Sequence, residues 1–321
     1  MKKLDRELGL FAVFTIACGA MLSGLFVLPG HAATIGGSSV HLAFLLAGLL
    51  FVPAALSKAE MATALPEAGG DYIFIDRAFG PSVSTVTGMG TWLALMLKSA
   101  FALVGMSAYL FLIVDLPVAY LKFFSCGVGV FLIVINCIGV KKTGQLQSFL
   151  VVATFLVLGV FIERGAVNVH PENFNTMFND GIIGFLSATA FVFVSYAGVT
   201  KVASAAEEIK NPSRNIPWGM LLSLIVMILF YVAVVYIVVG VLPIKELGKS
   251  GIYKNAPIAQ AAAVFLGRAG EVVISVISVL ALTAMANAGL LASSRYPLAL
   301  SRYDQLPEVF SSVHSKFKTP V

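Results

Sequence analysis

Two apolar stretches, ACGAMLSGLFVLPG from Ala17 to Gly30 and FVFVSYAGVTKVASAAEE from Phe191 to Glu208, carry glycine, serine and alanine at their centres. Lipid offers no water to satisfy a broken helix, so such interruptions persist only where they line a cavity or bind something. An unwound first stretch would free the N–H groups of Ser23, Gly24 and Leu25 at a half-helix N-terminus, where the helix dipole favours a carboxylate. Unpaired carbonyls around Ala17 to Ala20 and Ser195 to Gly198 would accept from an ammonium group. Facing each other, the stretches describe a site for the shared backbone of α-amino acids, with Ala20, Met21, Ser23, Gly24, Leu25, Ser195, Tyr196, Ala197 and Gly198 as candidate contacts. The spacings Gly19 to Ser23 and Ala20 to Gly24 also fit simple close packing of helices, and that reading stays open.

Lys98 is the ionisable side chain set deep in an apolar run, GTWLALMLKSAFALVG. A charge there costs at least about 2.5 kcal/mol, so it faces a cavity or a partner. It is the candidate for proton coupling, with a structural carbonyl or acid partner as the alternative. Tyr196, and beside it Phe191 and Phe193, could close over a bound substrate or simply pack. Ser293 and Ser294 are candidates for a cation site, or ordinary interhelical hydrogen-bonders. Glu207, Glu208, Lys210 and Arg214 could form gate pairs with Arg6, Arg77 or Arg295, or be solvated and contribute little. His31, His41, His170 and His314 have no close Cys, Asp or Glu partners in sequence and make no convincing metal site. No nucleophile sits beside a local base, and no nucleotide-binding loop is visible, so neither an enzyme nor a cofactor is expected.

The elements that must position these groups are membrane spans. The 321 residues are 59% hydrophobic and 12% charged, about half the charge of a soluble domain. Apolar runs near the roughly twenty residues of a spanning helix occur at about Leu8–Ile35, Leu42–Leu65, Pro81–Val114, Val118–Val140, Leu146–Ile162, Ile182–Ala205, Ile216–Leu242 and Val272–Leu300. No barrel-type alternation appears, so the fold class is all-α and polytopic. The net charge of +5 is spread over alternate loops, not gathered in one patch, which argues against nucleic acid as a partner. A cytoplasmic N-terminus puts fourteen Lys and Arg inside, Lys201 among them, and six outside, with Lys98 left in the membrane. The positive-inside rule favours that orientation in the cell membrane. The starting MKKLDRELGLFAVF is read as mature structure, its apolar run being too long for a signal peptide. LPEAGGDYIFIDRAFGP, Leu65 to Pro81, predicts a turn and interfacial helix, and Pro257 to Leu266 a short helix lying on the outer face. Cys18, Cys126 and Cys137 fall inside spans, which predicts small buried hydrophobes and no disulfides.

Two interrupted spans, each opening a group of helices, suggest inverted repeats: residues 1–164 as a first repeat of five spans, 165–181 as an external loop, 182–321 as a partial second repeat of three. On that reading the chain looks truncated after the eighth span; a complete short protein of another design is the alternative.

The motifs carry a resemblance. GAMLSGLFVLPG, PEAGGDYIFIDRAFG, SYAGVTKVASAAEEIKNPSRNIP and SSRYPLALSRYDQLP resemble, in order, the first-helix, second-loop, sixth-helix and eighth-helix motifs of the amino acid–polyamine–organocation (APC) superfamily of permeases. The resemblance implies a five-plus-five inverted core within twelve helices, alternating access, and amino acid uptake or exchange. Many members carry an acid shortly after the sixth-helix glycine, where Thr200 and Lys201 stand here, which points to neutral rather than cationic amino acids. Some members use a membrane lysine on the fifth helix in place of sodium; the predicted fifth span has none, and Lys98 lies on the third. A truncated membrane protein that binds without transporting is the reading from another class.

Overall fold

The structure is a computed structural model and describes residues 4–114, 118–175, 177–178, 181–247, 256–314 and 319. Lys2, Lys3, Lys249, Lys254, Lys316 and Lys318, counted above for orientation, lie outside the described residues. Among the described residues there are no strands, and eight helices are long and apolar enough to cross a membrane. In chain order they are α1 (Leu10–Gly36), α2 (Val40–Ala64), α4 (Pro81–Ile113), α5 (Val118–Ile138), α6 (Val140–Ala166), α7 (Gly181–Phe193) with the turn of helix after it, α8 (Pro212–Val241) and α10 (Pro257–Ser293). Shorter helices α3 (Asp71–Phe79), α9 (Ile244–Leu247) and α11 (Arg295–Arg302) sit at the ends of spans.

Burial sorts the spans into core and periphery. Helices α1, α8 and α10 are mostly buried, whereas α4 and α5 show large apolar faces outward through Val86, Phe101, Phe123 and Phe131. Such faces suit hydrocarbon rather than water. Close approach at the centre depends on small residues, as expected where lipid supplies no hydrophobic drive between helices. An added Cβ at Gly19 would meet Gln147 of α6, and one at Gly36 would meet Ala188 of α7. Interhelical hydrogen bonds to main-chain carbonyls reinforce this: Tyr109 Oη donates to Phe26 O at 2.6 Å, Tyr231 Oη to Met21 O at 2.6 Å, and Tyr196 Oη to Phe44 O at 2.8 Å.

A buried amide chain crosses the bundle. Asn136 Nδ2 of α5 donates to Asn287 Oδ1 of α10 at 2.9 Å, and Asn287 Nδ2 donates to Gln147 Oε1 of α6 at 2.8 Å. Gln147 Nε2 reaches Thr15 O of α1 at 3.5 Å. Each buried amide is thereby given a partner, which low dielectric makes worthwhile.

The interfacial helix expected after the second span is present as α3, bracketed by Gly70 (φ 50°) and Gly80 (φ 83°) and followed by Pro81 at the start of α4. The short helix expected from Pro257 is also present. Gly267, at φ 62°, bends α10 away from it, a conformation glycine adopts without Cβ strain. That short helix packs Ile258, Ala259, Ala261 and Ala262 inward and leaves Val264 and Leu266 exposed.

Three expectations are corrected. The first span is not interrupted; α1 runs as one α-helix from Leu10 to Gly36, because its small residues are used for packing and not for unwinding. Cys126 and Cys137 are exposed on the bundle surface, only Cys18 being buried, and all three are free thiols. Lys201, assigned above to the cytoplasmic loops, is buried at 6% exposure.

Candidate functional site

The sixth span does break. Its α-helix α7 ends at Phe193, and Tyr196–Glu208 continues as thirteen residues of 3₁₀-helix with Ala205 outside helical dihedrals. Runs of this geometry beyond three or four residues are uncommon and often mark hinges. The helix continues past Ala205, where the predicted run ends, to Glu208. Lys201 lies within this segment and is buried among the helices.

The break touches the small-residue stretch of α1. An added Cβ at Gly198 would stand 2.5 Å from the carbonyl carbon and oxygen of Ala20, and 2.8 Å from Met21 N. One at Gly24 would stand 2.7 Å from Ser195 Oγ and from Tyr231 Oη. The two stretches therefore face each other, as expected from the sequence, with α1 helical throughout. In an unbroken helix the N–H groups of Ser23, Gly24 and Leu25 are engaged by carbonyls four residues earlier. Pro29 inside α1 has no N–H to give Leu25 O.

Beside this crossing is a cavity of about 400 Å³. Ser23, Gly24, Val27 and Leu28 of α1 form one wall, and Lys98, Phe101, Ala102, Val104 and Gly105 of α4 another. Val194 and Ser195 at the break, with Leu282 and Met285 of α10, complete it. Small apolar walls with a few convergent polar groups are the usual character of a small-molecule site. Ser195 Oγ is buried and without a hydrogen bond among the described residues, Tyr231 Oη being spent on Met21. None of the lining residues is acidic.

The sequence-predicted residues divide accordingly. Ser23, Gly24, Ser195 and Lys98 share the cavity. Ala20, Met21 and Gly198 make the helix crossing beside it, and Leu25 and Tyr196 are fully buried in the core. Ala197 is half-buried, its carbonyl accepting from Thr200 Oγ1 at 2.8 Å. Phe191 and Phe193 face outward at 37% and 36% exposure and do not line the cavity. Ser293 and Ser294 donate to carbonyls of their own helix, Leu290 O and Leu291 O, and Ser294 Oγ also accepts from Arg295. A guanidinium on that oxygen repels a second cation.

Of the charges expected at the gate, Glu207, Glu208 and Arg295 are buried, while Arg6, Arg77, Lys210 and Arg214 are exposed. Glu208 and Arg295, both 1% exposed, form a fork: Nε donates to Oε1 at 2.8 Å and Nη2 to Oε2 at 3.0 Å. Glu207 pairs with Arg302 at 2.6 Å and accepts from Leu4 N at 2.8 Å and Ala68 N at 3.3 Å. The Glu208 carbonyl accepts from Glu7 N and Leu8 N, and Lys210 N donates to Leu8 O. The amino-terminal segment, the end of the sixth span, the loop before α3 and α11 are thus tied into one closure. Arg295 was anticipated as a partner; Arg302 and Lys201 were missed. The signal for Arg302 was its spacing of seven from Arg295 on one helix, matching the adjacent acids Glu207 and Glu208.

An all-α bundle of apolar spans, with a mid-span cavity against a broken helix and one end sealed by buried ion pairs, defines a multi-pass membrane transporter. The comparisons name its kind: the chain belongs to the amino acid permease family, whose pattern matches residues 8–321. That is a transporter family and not an enzyme family, and its activity is amino acid transport. The chain is 32% identical to the branched-chain amino acid permease BcaP of Bacillus subtilis over 99% of its length and 72% of that protein. It is 29% identical to the methylthioribose transporter of the same organism, over 99% of this chain and 72% of that one. It is 26% identical to the serine/threonine exchanger SteT, also of Bacillus subtilis, over 99% and 73%.

Proposed function

We propose that this chain carries small neutral amino acids across the cell membrane by secondary active transport coupled to protons, with its N-terminus in the cytoplasm. The observation that carries the reading is the cavity where Ser23 and Gly24 of α1, Ser195 of the broken span and Lys98 of α4 converge. Substrate is held there, between the Ala20–Leu25 stretch and Ser195–Gly198. The apolar lining and lack of an acid suit an uncharged side chain. Lys98 is the group in this cavity that can exchange a proton, and the 3₁₀ segment is the hinge about which the sixth span moves. Residues 1–164 form the first repeat and 182–321 a partial second one, and the first and sixth spans rock against a scaffold of the third, fourth and eighth.

Reconstitution in proteoliposomes tests the reading. Labelled branched-chain or hydroxyl amino acids are expected to accumulate under an inward proton gradient, and Lys98→Met to abolish that dependence. Saturable binding without uptake under any gradient would refute transport by this chain. Uptake that needs internal amino acid and ignores the proton gradient would establish exchange instead, the mode named for SteT.

A further inference from the structure

The end of the bundle away from the amino terminus holds a buried acid outside the cavity. Glu271 of α10 is 6% exposed; its Oε2 accepts from Arg268 Nη1 at 2.7 Å, and its Oε1 has no hydrogen-bond partner among the described residues. The Arg268 side chain is largely exposed and donates through Nη2 to Leu112 O of α4 at 2.8 Å, so the pair stands where the seam between α4 and α10 opens to solvent. One turn further in, Ser275 is fully buried, and its Oγ is likewise without a partner among the described residues. Positions four apart on a helix are neighbours on one face, and buried polar atoms left incomplete are rare enough to need a reason.

These residues begin a stripe that leads to the cavity. Glu271, Ser275, Ser278, Leu282, Met285 and Gly289 recur at alternating intervals of four and three, which puts them on one side of α10. Two contacts fix that side: an added Cβ at Gly289 would run into Ser99 of α4, and one at Gly105 of α4 would stand 3.9 Å from Leu282. The stripe therefore lies along α4, antiparallel to it, and in that register Ser278 stands opposite Tyr109, whose Oη donates to Phe26 O of α1. Leu282, Gly105 and Val27 line the cavity. Ser278 is one turn beyond Leu282, Tyr109 one turn beyond Gly105, and Phe26 adjoins Val27, so these groups border the head of the cavity, with Lys98 at its other end.

A carboxylate oxygen lacking a donor, beside a hydroxyl lacking a partner, is completed by a proton: protonated at Oε1, Glu271 becomes a donor one turn from Ser275 Oγ. A metal cation asks for more oxygen ligands than these two and would face the Arg268 guanidinium. The charged or titratable side chains at the same end of the spans packed on α10 are His31 of α1, Lys122 of α5, and Glu163 and Arg164 of α6, with the phenols Tyr109, Tyr120 and Tyr236. Among the described residues Arg268 is the one that engages the Glu271 carboxylate. We propose that Glu271 is the proton-uptake site of this transporter: a proton from the solvent beside Arg268 binds Oε1 and passes by way of Ser275, Ser278 and Tyr109 to the cavity, and there to the neutral amine of Lys98. Each hydroxyl accepts one proton and gives up its own, so Glu271 returns to its carboxylate and Lys98 ends as the ammonium. This deepens the reading of the cavity as a proton-coupled amino acid site and rests on it.

The test takes two readouts in proteoliposomes from wild type, Glu271→Gln and Glu271→Asp. One is accumulation of labelled leucine or serine under an inward proton gradient; the other is exchange of the same amino acid at equal pH on both sides, which moves no net proton. Glu271→Gln is expected to keep exchange within about twofold of wild type and to lose at least about tenfold of the gradient-driven accumulation. Glu271→Asp, which can still take a proton, should recover part of that loss. Retained exchange shows that the fold survives. Accumulation by Glu271→Gln equal to wild type, or loss of exchange and accumulation together, overturns the assignment, since a merely structural acid cannot separate the two readouts. Wild type that exchanges but ignores the proton gradient, or follows a sodium gradient instead, overturns the proton-coupled reading itself and this proposal with it.

Discussion

Removing either partner of the Glu208–Arg295 fork is expected to cost far more than removing both. Each group is 1% exposed, and the carboxylate engages Nε and Nη2 of the same guanidinium at 2.8 and 3.0 Å. Glu208→Gln leaves the Arg295 charge buried with only neutral acceptors, Leu291 O and Ser294 Oγ, on Nη1. Arg295→Met strands Glu208 beside Glu207, whose own charge is held by Arg302. Breaking one side of a buried pair costs about 3–5 kcal/mol, whereas replacing both sides by neutral groups that pack is near neutral or better. At about 2 °C or more per kcal/mol for chains of this size, each single variant should melt roughly 6 °C or more below wild type. The double variant Glu208→Gln with Arg295→Met should recover most of that loss. Thermal melting of the detergent-solubilised protein, run as a double-mutant cycle, measures the coupling directly. Single variants within a degree of wild type, or a double variant equal to the sum of the singles, would refute the reasoning and restore a solvated pair of little value.

Gly198→Ala drives a methyl group to 2.5 Å from the Ala20 carbonyl, where no side-chain rotation can relieve it. A loss of about 1–3 kcal/mol or more is expected, with amino acid binding weakened because the two stretches must separate. Gly159→Ala, on α6 with nothing within 4 Å, is the control; it should be neutral or stabilising by about 0.5–1 kcal/mol in the same melting assay. Tyr231→Phe removes the donor to Met21 O and should cost about 0.5–1.5 kcal/mol. Asn287→Leu cuts the amide chain at its middle and strands Gln147 Oε1, while Asn136 Nδ2 keeps its bond to Leu132 O. Its expected cost is about 1–3 kcal/mol for the orphaned group, larger than that of Tyr231→Phe in the same thermal series.

Hydropathy alone placed all eight spans, because twenty apolar residues in succession have one solvent in which they are stable; the eighth is the least well bounded, α10 beginning at Pro257 and not Val272. The sixth run, read as ending at Ala205, continues to Glu208 in the structure as 3₁₀-helix. Lys201 falls within that predicted run yet was counted with the cytoplasmic charges, and the structure buries it among the helices. A lysine flanked by Val199, Thr200, Val202 and Ala203, six residues before a pair of acids, is indistinguishable in composition from a snorkelling residue at a span end. Only the packing of Ser99 and Gly289 against its ammonium reveals its depth. The small residues of α1 show the opposite ambiguity. Gly19, Ser23 and Gly24 were weighed as a break or as a contact surface, and both readings predict the same residue types, since a helix that must touch a broken neighbour needs small side chains as much as one that is itself unwound. The structure resolves this by where the neighbours stand: Gln147, Ser195 and Tyr231 occupy the space that Cβ atoms would take, so these glycines are held helical by contact. The irregular backbone is concentrated in the sixth span, and the cavity is polar on that side through Ser195 and on the α4 side through Lys98.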